Sequence, residues 1–140
     1  MIVLDTNVTS ELMKPAPSAQ VVVWVRDHQS AELYTTAITV AEIGYGIERL
    51  PDGRRKETLR RAADGIFSAF ADQVLAFDFA AAQYYGRIVR GRDATGSPID
   101  GFDAQIASIC QVHDAVLATR NVKDFHGIEI AVVDPWNQHA

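Results

Sequence analysis

Asp5, Glu42 and Asp103 are the side chains whose type and spacing suggest shared chemistry. Asp5 closes the apolar run Met1-Ile2-Val3-Leu4. Such a run without alternation predicts a central parallel strand covered on both faces. In open parallel α/β sheets, ligands sit in the crevice beyond the carboxyl ends of the strands, so Asp5 would point into that crevice. Glu42, in Thr39-Val40-Ala41-Glu42, is expected in the first turn of a helix that follows a strand, at the same edge as Asp5. The tetrapeptide also matches a capping box, S/T-x-x-E, which gives Glu42 a structural role as an alternative. Asp103, in Asp100-Gly101-Phe102-Asp103, has similar placement, and there the helix dipole alone would favour an acid. A further polar cluster, Thr119-Arg120-Asn121-Val122-Lys123-Asp124, follows the apolar residues 115–118.

Convergence of these acids is unfavourable without a counterion. Two carboxylates about 5 Å apart at an effective dielectric of ~20 repel by roughly 3 kcal/mol, and three by on the order of 10 kcal/mol unless they titrate upward. A divalent cation removes that penalty. Oxygen-only ligands favour Mg²⁺ or Mn²⁺ over zinc. His28, His113, His126 and His139 are scattered without ligand spacing and read as surface residues or ordinary hydrogen-bonding partners.

The elements that must position these residues alternate along the chain. Residues 1–4 predict a first strand and 6–13 a short helix stopped before Pro15 and Pro17. Ser18 can cap a helix reaching about His28, although Val21-Val22-Val23 would by propensity prefer a strand. Residues 33–36 read as a strand, 39–50 and 54–70 as helices, and 74–77 as another strand. Asp78 caps a helix to about Arg92, Gly96-Ser97-Pro98 is a loop, and Asp100 is the N-cap of a helix through His113. Residues 115–118 and 130–133 complete the strands. This alternation predicts an α/β sandwich with a central, mainly parallel sheet.

The 140 residues suit one domain with a real core, and no apolar run approaches the ~18 residues of a membrane span. An acid at position five and no basic leader argue against a signal peptide. The lone Cys110 lies in an apolar helical pattern and reads as a buried free thiol, which fits a reducing cytoplasm. A formal charge of −5 disfavours gripping nucleic acid by overall charge, but not an enzyme that meets phosphate through bound metal. Arg54, Arg55, Lys56, Arg60 and Arg61 form a basic run, either a solvated helix face or a contact for nucleic acid or a partner.

With these segments assembled, the chain resembles the PIN-domain family, specifically the VapC-type and FitB-like toxins of toxin–antitoxin pairs. The likeness is carried by Ile2-Val3-Leu4-Asp5-Thr6-Asn7, Thr39-Val40-Ala41-Glu42, Phe102-Asp103-Ala104-Gln105-Ile106-Ala107 and Leu117-Ala118-Thr119-Arg120-Asn121, in that order. Asp124-Phe125 and Asp134-Pro135-Trp136 also look like the FitB-like subgroup. The resemblance implies a PIN-domain α/β/α sandwich, with residues 1–140 forming a single domain, and a metal-dependent ribonuclease leaving 5′-phosphate and 3′-hydroxyl ends. Asp5, Glu42 and Asp103 match the family's three acidic positions, and Asn121 falls on the fourth. Asn can ligate through its carbonyl oxygen but adds no charge, which puts a second metal site in doubt. Asp124 is near enough in sequence to compensate, or is a turn residue. Thr6, Asn7 and Thr119 are expected to hold water or orient the acids, and Arg120 to contact phosphate or form a structural salt bridge.

The resemblance further implies hydrolysis of RNA with Mg²⁺ or Mn²⁺, a homodimer, and a cognate VapB/FitA-like antitoxin through which the complex binds promoter DNA. A haloacid-dehalogenase-type phosphotransferase would need D-x-D-x-T, and Asn7 breaks that pattern. A non-catalytic PIN module that binds RNA or antitoxin without cutting is the rival from another class.

Overall fold

The apolar runs become strands β1 (Ile2–Leu4), β2 (Leu33–Thr36), β3 (Val74–Leu75), β4 (Val116–Ala118) and β5 (Ala131–Val133). Between them lie helices α1 (Thr6–Leu12), α2 (Ala19–Arg26), α3 (Ala37–Glu48), α4 (Arg54–Ala69), α5 (Phe79–Ala94) and α6 (Gly101–His113). Short 3₁₀ turns occupy Ser30–Glu32 and Val122–Phe125. The computed structural model describes residues 1–137. His139 lies outside the described residues. None of the described helices is long and apolar enough to cross a membrane.

The strands form one sheet in the order β3-β2-β1-β4-β5, and every neighbouring pair is parallel. β1 is central, and its two sides show why its sequence does not alternate. Val3 packs with Leu117, Ala104, Ala107 and Cys110 on one face, while Leu4 packs with Val8, Val21 and Trp24 on the other. Both faces are covered by helices, so both parities of the strand are apolar. The chain leaves β1 for β2 and β3 on one side, then crosses to β4 and β5 on the other. The gap between β1 and β4 is therefore the switch point where parallel sheets place their ligand crevice.

The helix expected to reach about His28 is present over Ala19–Arg26, and two other local details depart from the sequence reading. The valine run 21–23 is helical, because Val21 and Trp24 bury one face of α2 against the sheet and outweigh β propensity. The expected strand 74–77 contracts to Val74–Leu75 at the sheet edge, paired only with Thr35 and Thr36. Ser18 is the residue before α2, but its hydroxyl makes no cap bond; its N–H instead donates to Glu11 Oε2 at 2.8 Å. α3 and α4 form a hairpin with a small core of Ile43, Ile47 and Ala63. Lys56 donates to the Glu48 carbonyl at 3.0 Å and pairs with Asp52, and Arg60 pairs with Glu48 at 2.6 Å. Part of the basic run thus closes the hairpin on itself.

Candidate active site

Asp5 stands at the carboxyl end of β1 and is 4% exposed. Its backbone N–H continues the ladder to the Ala118 carbonyl at 2.9 Å. Its side chain caps α1: Oδ1 accepts from Thr6 N at 2.8 Å. Oδ2 accepts from the Thr119 hydroxyl at 2.8 Å and from Asn7 Nδ2 at 3.3 Å. Thr119, fully buried at the end of β4, is a hub. Its oxygen also accepts from Asn7 Nδ2 and Asn121 N, both at 3.1 Å. The two strands flanking the switch point are thus tied together at the carboxylate. Burial drives the Asp5 carboxyl above its ordinary range, and these donors oppose the shift.

Glu42 is placed differently from the sequence expectation. The cap of α3 is Thr36, whose Oγ1 accepts from Thr39 N at 3.1 Å, so α3 begins at Ala37 and Glu42 lies one turn further in. Thr39 and Glu42 do not form the capping box. Glu42 Oε1 instead accepts from the Thr6 hydroxyl at 2.8 Å. Thr6 Oγ1 lies 3.0 Å from Thr39 Oγ1, which accepts in turn from Thr36 Oγ1 at 3.3 Å. A threonine chain therefore runs from the end of β2 through α3 to the start of α1. The Glu42 carboxyl is raised first by burial, then by Asp5 and Asp100.

Asp103 occupies the first turn of α6, whose cap Asp100 accepts from Phe102 N and Asp103 N. The buried face of α6, including Ala104, Ile106 and Ala107, seats the helix on the sheet and aims the acid. Asp103 is half-buried, and its carboxyl is raised to about 7 by desolvation and by the fields of Asp5, Asp100, Asp124 and Glu42.

Asp5, Thr6, Asn7, Glu42, Asp103, Arg120 and Asn121 line one cleft of about 420 Å³. Asp124 is exposed on the adjoining 3₁₀ turn and lines a separate hollow shared with Asp100 and Asp103. Asp103 thus faces both spaces. Arg120 makes no salt bridge among the described residues; its guanidinium lies 5.0 Å over the Trp136 ring. Trp136 lines the cleft as well, a contact that sequence spacing gave no reason to expect. Arg92 was also missed. It is buried at the end of α5, where it donates to the carbonyls of Ser97, at 2.7 Å, and Asp124. It fastens the loop before α6 to the loop after β4. The described histidines stay out of the site: His28 packs at a tilt against the Trp24 ring and bonds its carbonyl, and His113 and His126 are exposed.

A family model described as PIN domain matches residues 2–129, and the chain belongs to the PIN-domain family. It is 36% identical to toxin FitB of Neisseria gonorrhoeae over 138 residues, covering 98% of this chain and 99% of that protein. It is 35% identical to VapC ribonuclease Y4jK of Sinorhizobium fredii over 137 residues, covering 97% and 98%. Among solved structures, FitAB bound to an IR36 DNA fragment contains a chain that matches at TM-score 0.91 and 35% identity, covering 100% of this chain and 99% of that one.

Proposed function

We propose that this chain, acting as one PIN domain over residues 1–140, is the ribonuclease toxin of a toxin–antitoxin pair and hydrolyses RNA phosphodiesters with a divalent cation. The observation that carries the reading is the convergence of Asp5, Glu42 and Asp103 on one cleft at the sheet's switch point. The similarity to a VapC ribonuclease and to toxin FitB supports the activity class.

The donor set fits Mg²⁺ or Mn²⁺. Its members are oxygens, and burial raises all three carboxyls above their ordinary range, with neighbouring acids adding to each shift. Among the described residues no three His, Cys, Asp or Glu side chains are drawn together tightly enough to cage an ion by themselves. Mg²⁺ does not require such a cage, since it dehydrates reluctantly and keeps several waters beside one or two carboxylates. Asp5 and Asp103 would hold the cation, with Glu42 and Asn121 at its margin and Asp124 able to add charge from the neighbouring hollow. When bound, the ion supplies Lewis acidity: it lowers the pKa of an attacking water and neutralises charge on the phosphate.

The chain's own residues do the rest. Thr6, Asn7 and Thr119 fix both Asp5 oxygens, so that acid meets the substrate without reorganising. Glu42, turned into the cleft by Thr6, is placed to orient water and accept its proton at the carboxylate. Restraint would come from a VapB/FitA-like antitoxin, with promoter DNA bound through the complex and the toxin dimeric within it; the FitAB–DNA structure supports that partner class.

A non-catalytic PIN module is the competing reading, favoured by the uncaged acids and by Asn121 at the fourth position. Purified protein incubated with single-stranded RNA separates the two. Cleavage in Mn²⁺ or Mg²⁺ that stops with EDTA, and is absent in Asp103→Asn, is the expected result. Binding without cleavage under all metal conditions would establish the non-catalytic module.

A further inference from the structure

The cleft wall is not acidic throughout. Arg120, Lys14 and Trp136 line it too, together with Asn7, Asn121 and Glu11, whose carboxylate lies in the field of Arg120. Lys14 is already neutralised by Glu11 at 2.9 Å. Arg120 is exposed and forms no ion pair among the described residues, yet it is not loose. Its backbone N–H donates to Asn7 Oδ1 at 3.2 Å, and the Asn7 amide reaches Asp5 Oδ2, so the root of the side chain is registered to the principal acid. Its guanidinium is seated over Trp136. That ring is half-buried against the cluster of Leu4, Val8 and Trp24, and Trp136 N donates to Asp134 Oδ1 at 2.9 Å, so the platform is anchored in the core.

We infer that Arg120 and Trp136 form a subsite for the phosphate backbone of single-stranded RNA, one that holds the strand against the acidic cluster. The inference rests on the ribonuclease reading and deepens it by naming what this wall recognises. A guanidinium whose face is covered by an indole keeps its N–H edge free, and that edge matches two phosphate oxygens in a fork. With a formal charge of −5, the molecule offers RNA no general attraction, so a local fixed cation adds to a bound metal ion in offsetting the repulsion between phosphate and carboxylates. A cleft of about 420 Å³ suits a nucleotide-sized segment, and single strands are what side chains can read in RNA. Arg120 is therefore a positioning residue, and Trp136 sets its direction.

The test measures binding apart from chemistry. A short fluorescent single-stranded RNA of mixed sequence is titrated by anisotropy in EDTA across a salt series. Arg120→Gln should weaken binding about tenfold and lower the salt slope by about 0.7, the share of one phosphate contact on a single strand. Trp136→Leu should weaken binding in the same direction, whereas Trp136→Phe, which keeps a ring face, should restore most of it. With Mn²⁺ added, Arg120→Gln should raise KM far more than it lowers kcat. Wild-type affinity and salt slope in Arg120→Gln would overturn the subsite while leaving an active ribonuclease standing. Arg120-dependent binding by a protein that never cleaves would support the subsite and overturn the ribonuclease reading. Failure of the wild-type protein to bind the RNA at all would also overturn the subsite.

Discussion

Asp5 and Asp103 are both cleft carboxylates, but the structure holds them in opposite ways. Asp5 is buried and accepts from a backbone N–H, a threonine hydroxyl and an asparagine amide, on two strands joined by their ladder. Asp103 is half-exposed, its carboxylate accepts no hydrogen bond among the described residues, and burial, followed by the fields of four other acids, pushes it upward. The first acid is fixed by the fold. The second is fixed by its helix and lies in an uncompensated field. One site can thus combine a rigid anchor with a group whose charge depends on what else is bound.

The largest expected effect removes charge from either half. Asp5→Asn and Asp103→Asn should each lower metal-dependent cleavage by about 10³-fold or more, measured with purified protein. Thermal unfolding in EDTA at pH 8 then separates them. Asp103→Asn should gain about 2–4 °C, because repulsion is relieved and no hydrogen bond is lost. Asp5→Asn should gain nothing, since an amide there turns a donor toward Thr6 N, Asn7 or Thr119. Equal gains in both variants would erase the contrast between the two halves.

Thr119→Val attacks the anchor without touching its charge. The buried hub loses contacts to Asp5, Asn7 and Asn121, which should destabilise the fold by about 1–3 kcal/mol and slow cleavage by about 10–100-fold. Urea unfolding and cleavage kinetics check both numbers. An unaffected kcat would show that Asp5 orients itself without the hub.

The pH dependence sharpens the other half. Folded Asp103 titrates at about 7 against an ordinary 3.8, so between those values the folded state binds more protons than the unfolded. Its contribution to stability therefore falls as pH rises through this window and is flat above it. In EDTA, the wild-type protein should lose about 1–2 kcal/mol more than Asp103→Asn between pH 5 and pH 8, after discounting for solvent screening at a half-open site. Parallel pH profiles would show that neither burial nor neighbouring acids raise the Asp103 carboxyl. The smallest effect belongs to Asn121→Asp, which should tighten Mn²⁺ about three- to tenfold in calorimetry by adding charge at the cleft margin. Unchanged affinity would direct attention to Asp124 in the adjoining hollow.

The strand ends and their acids were legible because the signals are local. An unalternating apolar run followed by Asp5, and the cap pair Asp100 and Asp103, describe themselves within a few residues. Glu42 was legible as a site residue but not in its register. Thr36 and Thr39 are both competent caps, and only the pairing of β2 with β1 and β3 shows that the strand ends at Thr36. Arg92 reads as one more cation on a charged helix. Its burial is created by carbonyls 5 and 32 residues away. Trp136 meets Arg120 because β5 lies beside β4, a neighbour relation that no periodicity encodes.

The threonine chain has a directional consequence. Each hydroxyl owns one proton, so when Thr6 donates to Glu42, Thr39 must donate to Thr6 and Thr36 to Thr39. The three dipoles then point the same way and reinforce one another toward an ionised Glu42. A proton arriving on the bonded Glu42 oxygen weakens that acceptor and reduces the bias on the whole row back to the start of α3. The cap of that helix is thereby joined to the Glu42 carboxylate through three hydroxyls in a row.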